Sequence, residues 1–287
     1  MGVYVVTGVA SGMGKATANE LRWRGHRVIG IDIHHADICA DLSTVEGRQK
    51  AIDEVHEQSG GRLEGAVFAA GLGPVPDIEE LIAKVNYLGT VELAEGVRDL
   101  LANGNESKVV IFSSNSTTTA PGVTPEIVKA FWERDIDTVL EIANQSEAPA
   151  TSVYAGSKTS LAHWVRQTAT SLDWAGAGIR MNAIAPGAIR TPMIQKQLDI
   201  PEYAEKIKSY PVPLGGFGDP ADIAQWVLFM LSPAANFLCG SVIFLDGGTD
   251  AWFRANDFPL PLAPEQMAHY QERYQEYQEF RRQRDGQ

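Results

Sequence analysis

Cysteine, long hydrophobic runs and basic residues are all scarce in this 287-residue chain. Cys39 and Cys239 are its two cysteines and lie far apart, which excludes a disulfide scaffold and favours reduced thiols in a cytoplasmic protein. No apolar run approaches the roughly 18 residues of a membrane span, and no secretory signal is visible. With 24 Lys and Arg against 36 Asp and Glu, the net charge is −12, so neither nucleic acid nor an anionic membrane is an expected partner.

Short apolar runs recur along the chain and are too continuous for half-buried antiparallel strands, which alternate. They begin at Val3, Val28, Ala66, Val109, Met181 and Ser241. Between them lie segments of helical length at 12–24, 44–58, 78–101, 152–174 and 219–231. Strands that alternate with helices predict an α/β protein with a doubly wound parallel sheet, and a weaker run at 37–40 would make about seven strands.

A glycine-rich turn joins the first predicted strand to the first helix. Gly8, Gly12 and Gly14 would permit a tight turn, close approach of the backbone to a pyrophosphate, and close helix packing. The start of the helix offers unpaired N–H groups to phosphates. In this position the pattern predicts dinucleotide binding, with Ser11 and Met13 in the same loop; a plain glycine-rich turn is the alternative.

Asp32 ends the second predicted strand and is followed by Ile33. A carboxylate there can accept both hydroxyls of the adenosine ribose and repels a 2′-phosphate, while Ser11 supplies no cation for that phosphate. These residues favour NAD over NADP. His34 and His35 could be partly cationic nearby, but no cluster of ligands accompanies them, so we expect no metal site.

Two segments interrupt the alternation of strands and helices. Residues 117–149 are far longer than an ordinary connection, are acidic, and include a predicted helix over 126–142. The tail after Trp252 is first proline-rich and then carries a stripe at helical spacing. We expect this stripe to pack rather than to bind a ligand, either on its own subunit or in an interface between subunits: Met267, Tyr270, Tyr274 and Tyr277. The predicted organisation is one Rossmann-type domain over 1–252, containing this insertion, and a partly helical C-terminal extension over 253–287.

Tyr154 and Lys158 are four residues apart and therefore share one face of a predicted helix. A free tyrosine titrates at about pH 10, and a neighbouring ammonium favours the phenolate and lowers that pKa. Tyr154 is thus a candidate general acid or base toward an alcohol or a carbonyl. Ser113 and Ser114 follow a predicted strand, at the carboxyl edge where open parallel sheets bind ligands.

Several motifs occur in a fixed order along residues 1–252: Thr7-Gly8-x3-Gly12-x-Gly14, Ala69-Ala70-Gly71, Asn86, Ser114, Tyr154-x3-Lys158, and Pro186-Gly187 followed by Thr191. Together they resemble the motifs of the classical short-chain dehydrogenase/reductase family. Runs such as Gly30-Ile31-Asp32-Ile33 and Ile184-Ala185-Pro186-Gly187-Ala188 are similar in particular to the bacterial 3α-hydroxysteroid dehydrogenase/carbonyl reductase branch. Two departures stand out: Ala69 replaces the family's usual asparagine, and the insertion lengthens the spacing between Ser114 and Tyr154.

The resemblance implies a role for each matching residue. Tyr154 would be the catalytic acid or base, and Ser114 would bind the reacting oxygen. Lys158 would hold the nicotinamide ribose, and Asn86 would hold a water that completes a proton relay. The other implied contacts of the cofactor, which also touches Tyr154 and Lys158, are Gly8, Ser11, Gly12, Met13, Gly14, Asp32, Ile33, Asp41, Leu42, Ala70, Gly71, Pro186, Gly187, Ile189 and Thr191.

The implied activity is an NAD-dependent interconversion of a secondary alcohol and a ketone on an apolar substrate, such as a hydroxysteroid or a xenobiotic carbonyl. The segment 188–218 is expected to cover the site and to line it with apolar side chains. Its candidates are Met193, Ile194, Leu198, Tyr203, Ile207, Tyr210, Val212, Leu214 and Phe217. The alternatives are a 3-oxoacyl-thioester reductase and a non-catalytic NAD-binding sensor.

The insertion also bears on assembly. Many members of the family are tetramers with two interfaces, and residues 117–149 directly precede the helix that carries Tyr154. We expect them to obstruct the helix–helix interface and to lie beside the substrate entrance. The last helix and strand are not interrupted, so the predicted assembly is a homodimer through the C-terminal half.

Overall fold

Seven parallel strands form one sheet in the computed structural model, which describes residues 1–199 and 201–286. The strands are β1 (Val3–Thr7), β2 (Arg27–Asp32), β3 (Ile38–Cys39), β4 (Gly65–Phe68), β5 (Lys108–Phe112), β6 (Arg180–Pro186) and β7 (Val242–Leu245). Their order is β3-β2-β1-β4-β5-β6-β7, which confirms the predicted α/β fold. Because the direction of strand addition reverses between β1 and β4, a crevice opens at the carboxyl ends of these two strands.

Both faces of the sheet are covered, which explains why the strands are apolar without alternation. Val5 belongs to the core on the side of α2, α4 and α9, whereas Val6 belongs to the core on the side of α1 and α12. The α-helices are α1 (Gly12–Trp23), α2 (Val45–Ser59), α3 (Glu79–Ala83), α4 (Gly89–Gly96), α5 (Arg98–Ala102), α6 (Ser116–Thr119), α7 (Pro125–Trp132), α8 (Ile136–Ala143), α9 (Pro149–Thr168), α10 (Pro192–Leu198), α11 (Pro201–Lys208), α12 (Pro220–Leu231), α13 (Thr249–Phe253) and α14 (Met267–Asp285). Shorter helical turns lie at Lys84–Leu88, Leu172–Gly176, Pro233–Ala235 and Pro264–Gln266.

The insertion differs from the single helix predicted over 126–142. It forms α7 and α8, separated at Arg134, whose φ of +60° ends a right-handed helix. The Arg134 guanidinium donates to both carboxylate oxygens of Glu95 on α4, at 2.7 and 2.8 Å, and this contact fixes the turn. The inner face of the insertion packs on the body of the same chain, where Ile127 and Phe131 are fully buried against α9.

The tail forms the predicted helix, α14. Its stripe is exposed rather than packed on the body of the same chain, which leaves the predicted contact with a second copy as the remaining alternative. The exposed fractions are 43% for Met267, 53% for Tyr270, 60% for Tyr274 and 49% for Tyr277. No helix in the described ranges is long and apolar enough to cross a membrane.

Candidate active site

Two adjoining cavities open at the carboxyl edge of the sheet. The larger, about 500 Å³, runs from the loop after β1 to the end of β3, and we call it the β1–β4 cleft. The second, about 420 Å³, lies over Ser114 and Tyr154, and we call it the Tyr154 pocket. Met13, Thr191 and Met193 form a wall that both cavities share. A molecule in the cleft can therefore reach the pocket at one end.

The turn after β1 brings the backbone of its glycines close to the cleft. Gly8 adopts a φ of +76°, a left-handed conformation. A side chain on Gly14 would place its Cβ only 2.3 Å from the Gly8 carbonyl oxygen. Ser11 precedes α1 without a side-chain cap, so the first N–H groups of this helix stay free for an anion. The predicted loop residues Gly8, Ser11, Gly12, Met13 and Gly14 all line the cleft.

Asp32 lies at the end of β2, where its carboxylate is held by the backbone. Its Oδ2 accepts the N–H of Ala10 at 2.9 Å, and its Oδ1 accepts the N–H of Ile33 at 2.7 Å. Both Asp32 and Ile33 line the cleft. The fixed carboxylate keeps lone pairs for a diol and carries the negative charge that repels a phosphate.

The far end of the cleft contains Asp41 and Leu42, as predicted. The backbone N–H and the hydroxyl of Ser43 donate to Asp41 Oδ1, and these hydrogen bonds lower the pKa of that carboxyl. The Leu42 carbonyl accepts from buried Arg48 at 3.2 Å, and Arg48 pairs with Glu92 at 2.6 Å. The sequence does not indicate this ion pair, because a single arginine in a predicted helix cannot be distinguished from an exposed surface residue.

The floor of the cleft is formed by Ala70 and Gly71. The Thr7 hydroxyl oxygen accepts the N–H groups of Ala69 and Ala70 at 3.0 and 2.9 Å. This contact joins the ends of β1 and β4, at the centre of the sheet. Thr7 therefore fixes the backbone at Ala69, the position where the family usually has an asparagine.

Tyr154 and Ser114 meet at the floor of the pocket. Burial raises the pKa of Tyr154, and a hydrogen bond from Ser114 opposes that rise. The N–H of Ser116 donates to Ser114 Oγ at 3.2 Å, which leaves the Ser114 hydroxyl proton for Tyr154 or a ligand. Ser113 is engaged elsewhere, because its hydroxyl donates to the Lys158 carbonyl at 2.8 Å. The geometry thus separates the two serines that the sequence left open.

Lys158 and Asn86 lie beneath the cleft rather than on its surface. Lys158 is 5% exposed and donates to the Phe112 carbonyl at 2.9 Å. Fully buried Asn86 exchanges two hydrogen bonds with the backbone of Leu72, at 2.7 and 3.0 Å. A Cβ on Gly71 would lie 3.2 Å from Asn86 Oδ1 and 3.4 Å from Lys158 Nζ, so both side chains converge under this glycine.

The electrostatics of Lys158 correct one expectation. Its ammonium was expected to lower the pKa of Tyr154, but burial is the largest influence on Tyr154 and raises that pKa. Burial also lowers the pKa of Lys158 itself, to about 8. In the protein alone, the hydrogen bond from Ser114 is therefore the interaction that favours the phenolate.

This shift predicts a pH-dependent stability. The unfolded chain keeps the Lys158 proton up to the ordinary pKa of 10.5, whereas the folded protein releases it above about 8. Between these values the unfolded state binds more protons, so the free energy of unfolding should rise with pH relative to Lys158→Met, by up to roughly 3 kcal/mol. Denaturant unfolding from pH 7 to 11 measures the difference. Lys129 is exposed, so Lys129→Met is the control. If the difference in unfolding free energy between the wild type and Lys158→Met stays constant with pH, the lowered pKa of Lys158 is contradicted.

The walls of the pocket are mostly apolar. From the predicted cover, Met193, Ile194, Ile207 and Tyr210 line it, while the side chain of Tyr203 lies outside the described part. Pro186, Gly187, Ile189 and Thr191, for which the resemblance implies contact with the cofactor, border the Tyr154 pocket, and of these Thr191 also lines the β1–β4 cleft. The start of the insertion contributes three further residues: Thr119, Ala120 and Pro121. This agrees with the expected place of the insertion beside the entrance.

Comparison with known proteins gives consistent relatives. A 3α-hydroxysteroid dehydrogenase/carbonyl reductase of Comamonas testosteroni is 36% identical over 90% of this chain and 100% of that protein. A 3-oxoacyl-acyl-carrier-protein reductase of Thermotoga maritima is 31% identical over 86% of this chain and 96% of that protein. The family model described as enoyl-(acyl carrier protein) reductase matches residues 136–250.

A solved structure supports the same relationship. The crystal structure of a 3α-hydroxysteroid dehydrogenase from Pseudomonas sp. B-0831, complexed with NADH, superposes with a TM-score of 0.83 at 40% identity. The match covers 89% of this chain and 100% of that one. This chain is therefore an oxidoreductase of the short-chain dehydrogenase/reductase family, homologous to 3α-hydroxysteroid dehydrogenase/carbonyl reductase.

Proposed function

We propose that this protein is an NAD-dependent dehydrogenase that interconverts a secondary alcohol and a ketone on an apolar substrate. The observation that carries the proposal is that Tyr154 and Ser114 line one mostly apolar pocket, which adjoins a cleft lined by the glycine-rich turn and Asp32. Acid–base groups for an alcohol and a dinucleotide cleft are thus within reach of one another.

The residues of the cleft fit a dinucleotide. The crowded backbone at Gly14 and the free N–H groups at the start of α1 suit a pyrophosphate, and Asp32 suits a ribose diol. NAD, when bound, supplies the acceptor or donor of a hydride. That this chain prefers NAD to NADP is part of the proposal, supported by Asp32 and by the NADH bound to the Pseudomonas relative.

The proton steps fall to side chains of this chain. In oxidation, the Tyr154 Oη would accept the hydroxyl proton of the alcohol, and in reduction it would return a proton to the carbonyl oxygen. The Ser114 hydroxyl would donate to the reacting oxygen and hold it in place. Lys158 would bind the nicotinamide ribose. Asn86, which shares the space beneath Gly71 with Lys158, would hold the water that connects this lysine to solvent.

One alternative has specific support. The Thermotoga relative and the matching family model both bear the names of acyl-carrier-protein reductases. The net charge of −12 counts against binding of an acidic carrier protein. Asp32 counts against the use of NADPH. Both activities begin from the same Tyr154–Ser114 pair, so the substrate distinguishes them.

A panel of secondary alcohols, ketones and a 3-oxoacyl thioester, each with NAD(H) and NADP(H), tests the proposal through nicotinamide absorbance. We expect turnover of apolar alcohols and ketones with NAD(H). Faster turnover of the thioester with NADPH would favour the alternative. NADH binding without turnover of any substrate would favour a non-catalytic sensor.

We also propose that residues 1–252 form the dehydrogenase domain and that residues 253–287 are an extension of it. The Comamonas relative is matched over its whole length while about a tenth of this chain is left over, which supports that division.

Two copies would associate through the edge strand β7 and α12. All four β7 residues are half-buried, and α12 exposes Trp226 and Phe229 by 44% and 45%. α7 and α8 cover α9, where the other family interface would form.

Charge on that surface should dissociate the dimer. Phe229→Glu places a carboxylate in the proposed apolar contact, so light scattering should show a dimer for the wild type and a monomer for the variant. Trp132→Glu is the matched control, because Trp132 is 43% exposed on α7, away from β7. A wild-type tetramer, a wild-type monomer, or dissociation by the control alone would each contradict the assembly.

A further inference from the structure

Asn115 follows Ser114 and lies in the wall of the Tyr154 pocket, where it is 9% exposed. Its backbone is fixed on both sides. The N–H donates to the Pro186 carbonyl at 3.0 Å, and the carbonyl accepts the hydroxyls of Thr118 and Thr119 at 3.2 and 2.9 Å. The side-chain amide, in contrast, makes no hydrogen bond to any of the groups that the structure describes, which leave out the side chains at 196, 197, 201–203 and 206.

The amide borders an open pocket, so a ligand there can supply the hydrogen bonds that the protein does not. Two hydroxyls of the pocket are engaged by the protein: Ser113 donates to the Lys158 carbonyl and Thr119 donates to the Asn115 carbonyl. Next to Asn115, the enclosed hydroxyl of Ser116 also lacks a partner among the described residues. Two neighbouring polar groups thus remain unpaired in a pocket that is otherwise mostly apolar.

The chemistry of the amide limits what it can recognise. It offers both a donor and an acceptor, so it can pair with a hydroxyl or with a carbonyl oxygen. No Lys or Arg lines the pocket in the described part of the chain, and the Lys158 ammonium donates to Phe112. A carboxylate or phosphate would therefore lack a countercharge, which favours a neutral oxygen.

Its place in the chain limits where that oxygen lies. Ser114 and Asn115 are neighbours in the chain and both border the Tyr154 pocket, so an oxygen bound by the amide would belong to the same substrate whose reacting oxygen Ser114 would hold. Building on the proposed function, we propose that Asn115 is a specificity-determining residue, which binds a second, neutral oxygen one or two carbons from the reacting carbon. The preferred substrates are then vicinal or 1,3-dioxygenated alcohols and ketones on an apolar skeleton.

Pairs of substrates matched in size test this directly. Cyclohexane-1,2-diol is compared with 2-methylcyclohexanol, and cyclohexane-1,3-diol with 3-methylcyclohexanol, in oxidation with NAD. We expect the wild type to have about a tenfold higher kcat/KM for at least one diol than for its methyl partner. Asn115→Leu, similar in size but apolar, should abolish or reverse that preference while it still oxidises the methyl compound.

Two further variants separate recognition from disturbance of the fold. Asn115→Ala removes the amide without a larger side chain and should lose the same preference. Asn144→Leu is the matched control, because Asn144 is exposed at the end of α8, and it should keep the preference. The dissociation constant for NADH should be equal in all four proteins, since the amide is assigned to the substrate.

The outcomes distinguish failure of the role of Asn115 from failure of the proposed dehydrogenase function. Equal efficiency for diols and methyl compounds in the wild type, or an unchanged preference in Asn115→Leu and Asn115→Ala, would overturn the role of Asn115 alone. A parallel loss on both members of a pair would also overturn it, because that pattern indicates a structural role. Absence of turnover for every alcohol and ketone, with NADH still bound, would overturn the proposed function itself.

Discussion

Replacing Tyr154 by phenylalanine should reduce kcat by about three orders of magnitude, because only the group that moves the proton is lost. The ring remains in the wall of the pocket, so the dissociation constant for NADH should be nearly unchanged. Steady-state kinetics on the best substrate of the panel, together with fluorescence titration of NADH, measure both quantities. Substantial residual turnover would remove Tyr154 from the proposed role.

Matched variants sharpen this result. Tyr87→Phe removes the hydroxyl of a buried tyrosine that lies outside the pocket, and it should retain activity. Ser114→Ala should lower kcat with little change in NADH affinity, whereas Ser113→Ala should have a smaller effect because its hydroxyl serves the Lys158 carbonyl. Loss of turnover in Ser113→Ala alone would show that the two serines were assigned the wrong way round.

Removing the Asp32 carboxylate should change the choice of cofactor. The wild type is expected to favour NAD, and Asp32→Ala should lower the ratio of kcat/KM for NAD to that for NADP by roughly two orders of magnitude. Two effects add: a charge-assisted hydrogen bond to the diol is lost, and repulsion of the 2′-phosphate disappears. Kinetics with each dinucleotide at a fixed alcohol concentration measure the ratio.

The backbone role of Asp32 requires a companion variant, because its carboxylate also accepts from Ala10 and Ile33. Asp32→Asn keeps the shape and part of these contacts while the charge is lost. Asp41→Asn, at the other end of the cleft, should change both efficiencies by a similar factor and leave their ratio intact. A wild type that already uses NADPH more efficiently than NADH would contradict the argument from Asp32 and Ser11.

Much of the fold could be predicted because its signals are local. A parallel strand buried on both faces is a continuous apolar run, and the runs at β1, β2, β4, β5, β6 and β7 are such segments. The glycine-rich turn, Asp32 and the Tyr154–Lys158 spacing were also readable, since backbone crowding and helical periodicity dictate residue type at short range. The structure brings these residues to the same edge of the sheet.

The remaining features depend on contacts between distant parts of the chain. Between α7 and α8, Asp135 caps the start of α8 locally, whereas the Arg134 guanidinium pairs with Glu95 on another helix, a contact that no local pattern marks. The buried pair of Arg48 and Glu92 is likewise invisible in sequence. Asn115 carries no motif either: its significance lies in the hydrogen bonds its amide does not make. The exposed tail stripe shows that helical spacing predicts a face without predicting what covers it.

Transfer of an isotopic label tests the central claim most directly. The best secondary alcohol of the panel is prepared with deuterium at its carbinol carbon, and the nicotinamide cofactor is recovered after turnover for mass spectrometry. A dehydrogenase of the proposed kind transfers hydride directly, so each NADH formed should carry one deuterium and the alcohol should become the corresponding ketone. Reduced cofactor without deuterium, or ketone formed without reduced cofactor, would contradict the account.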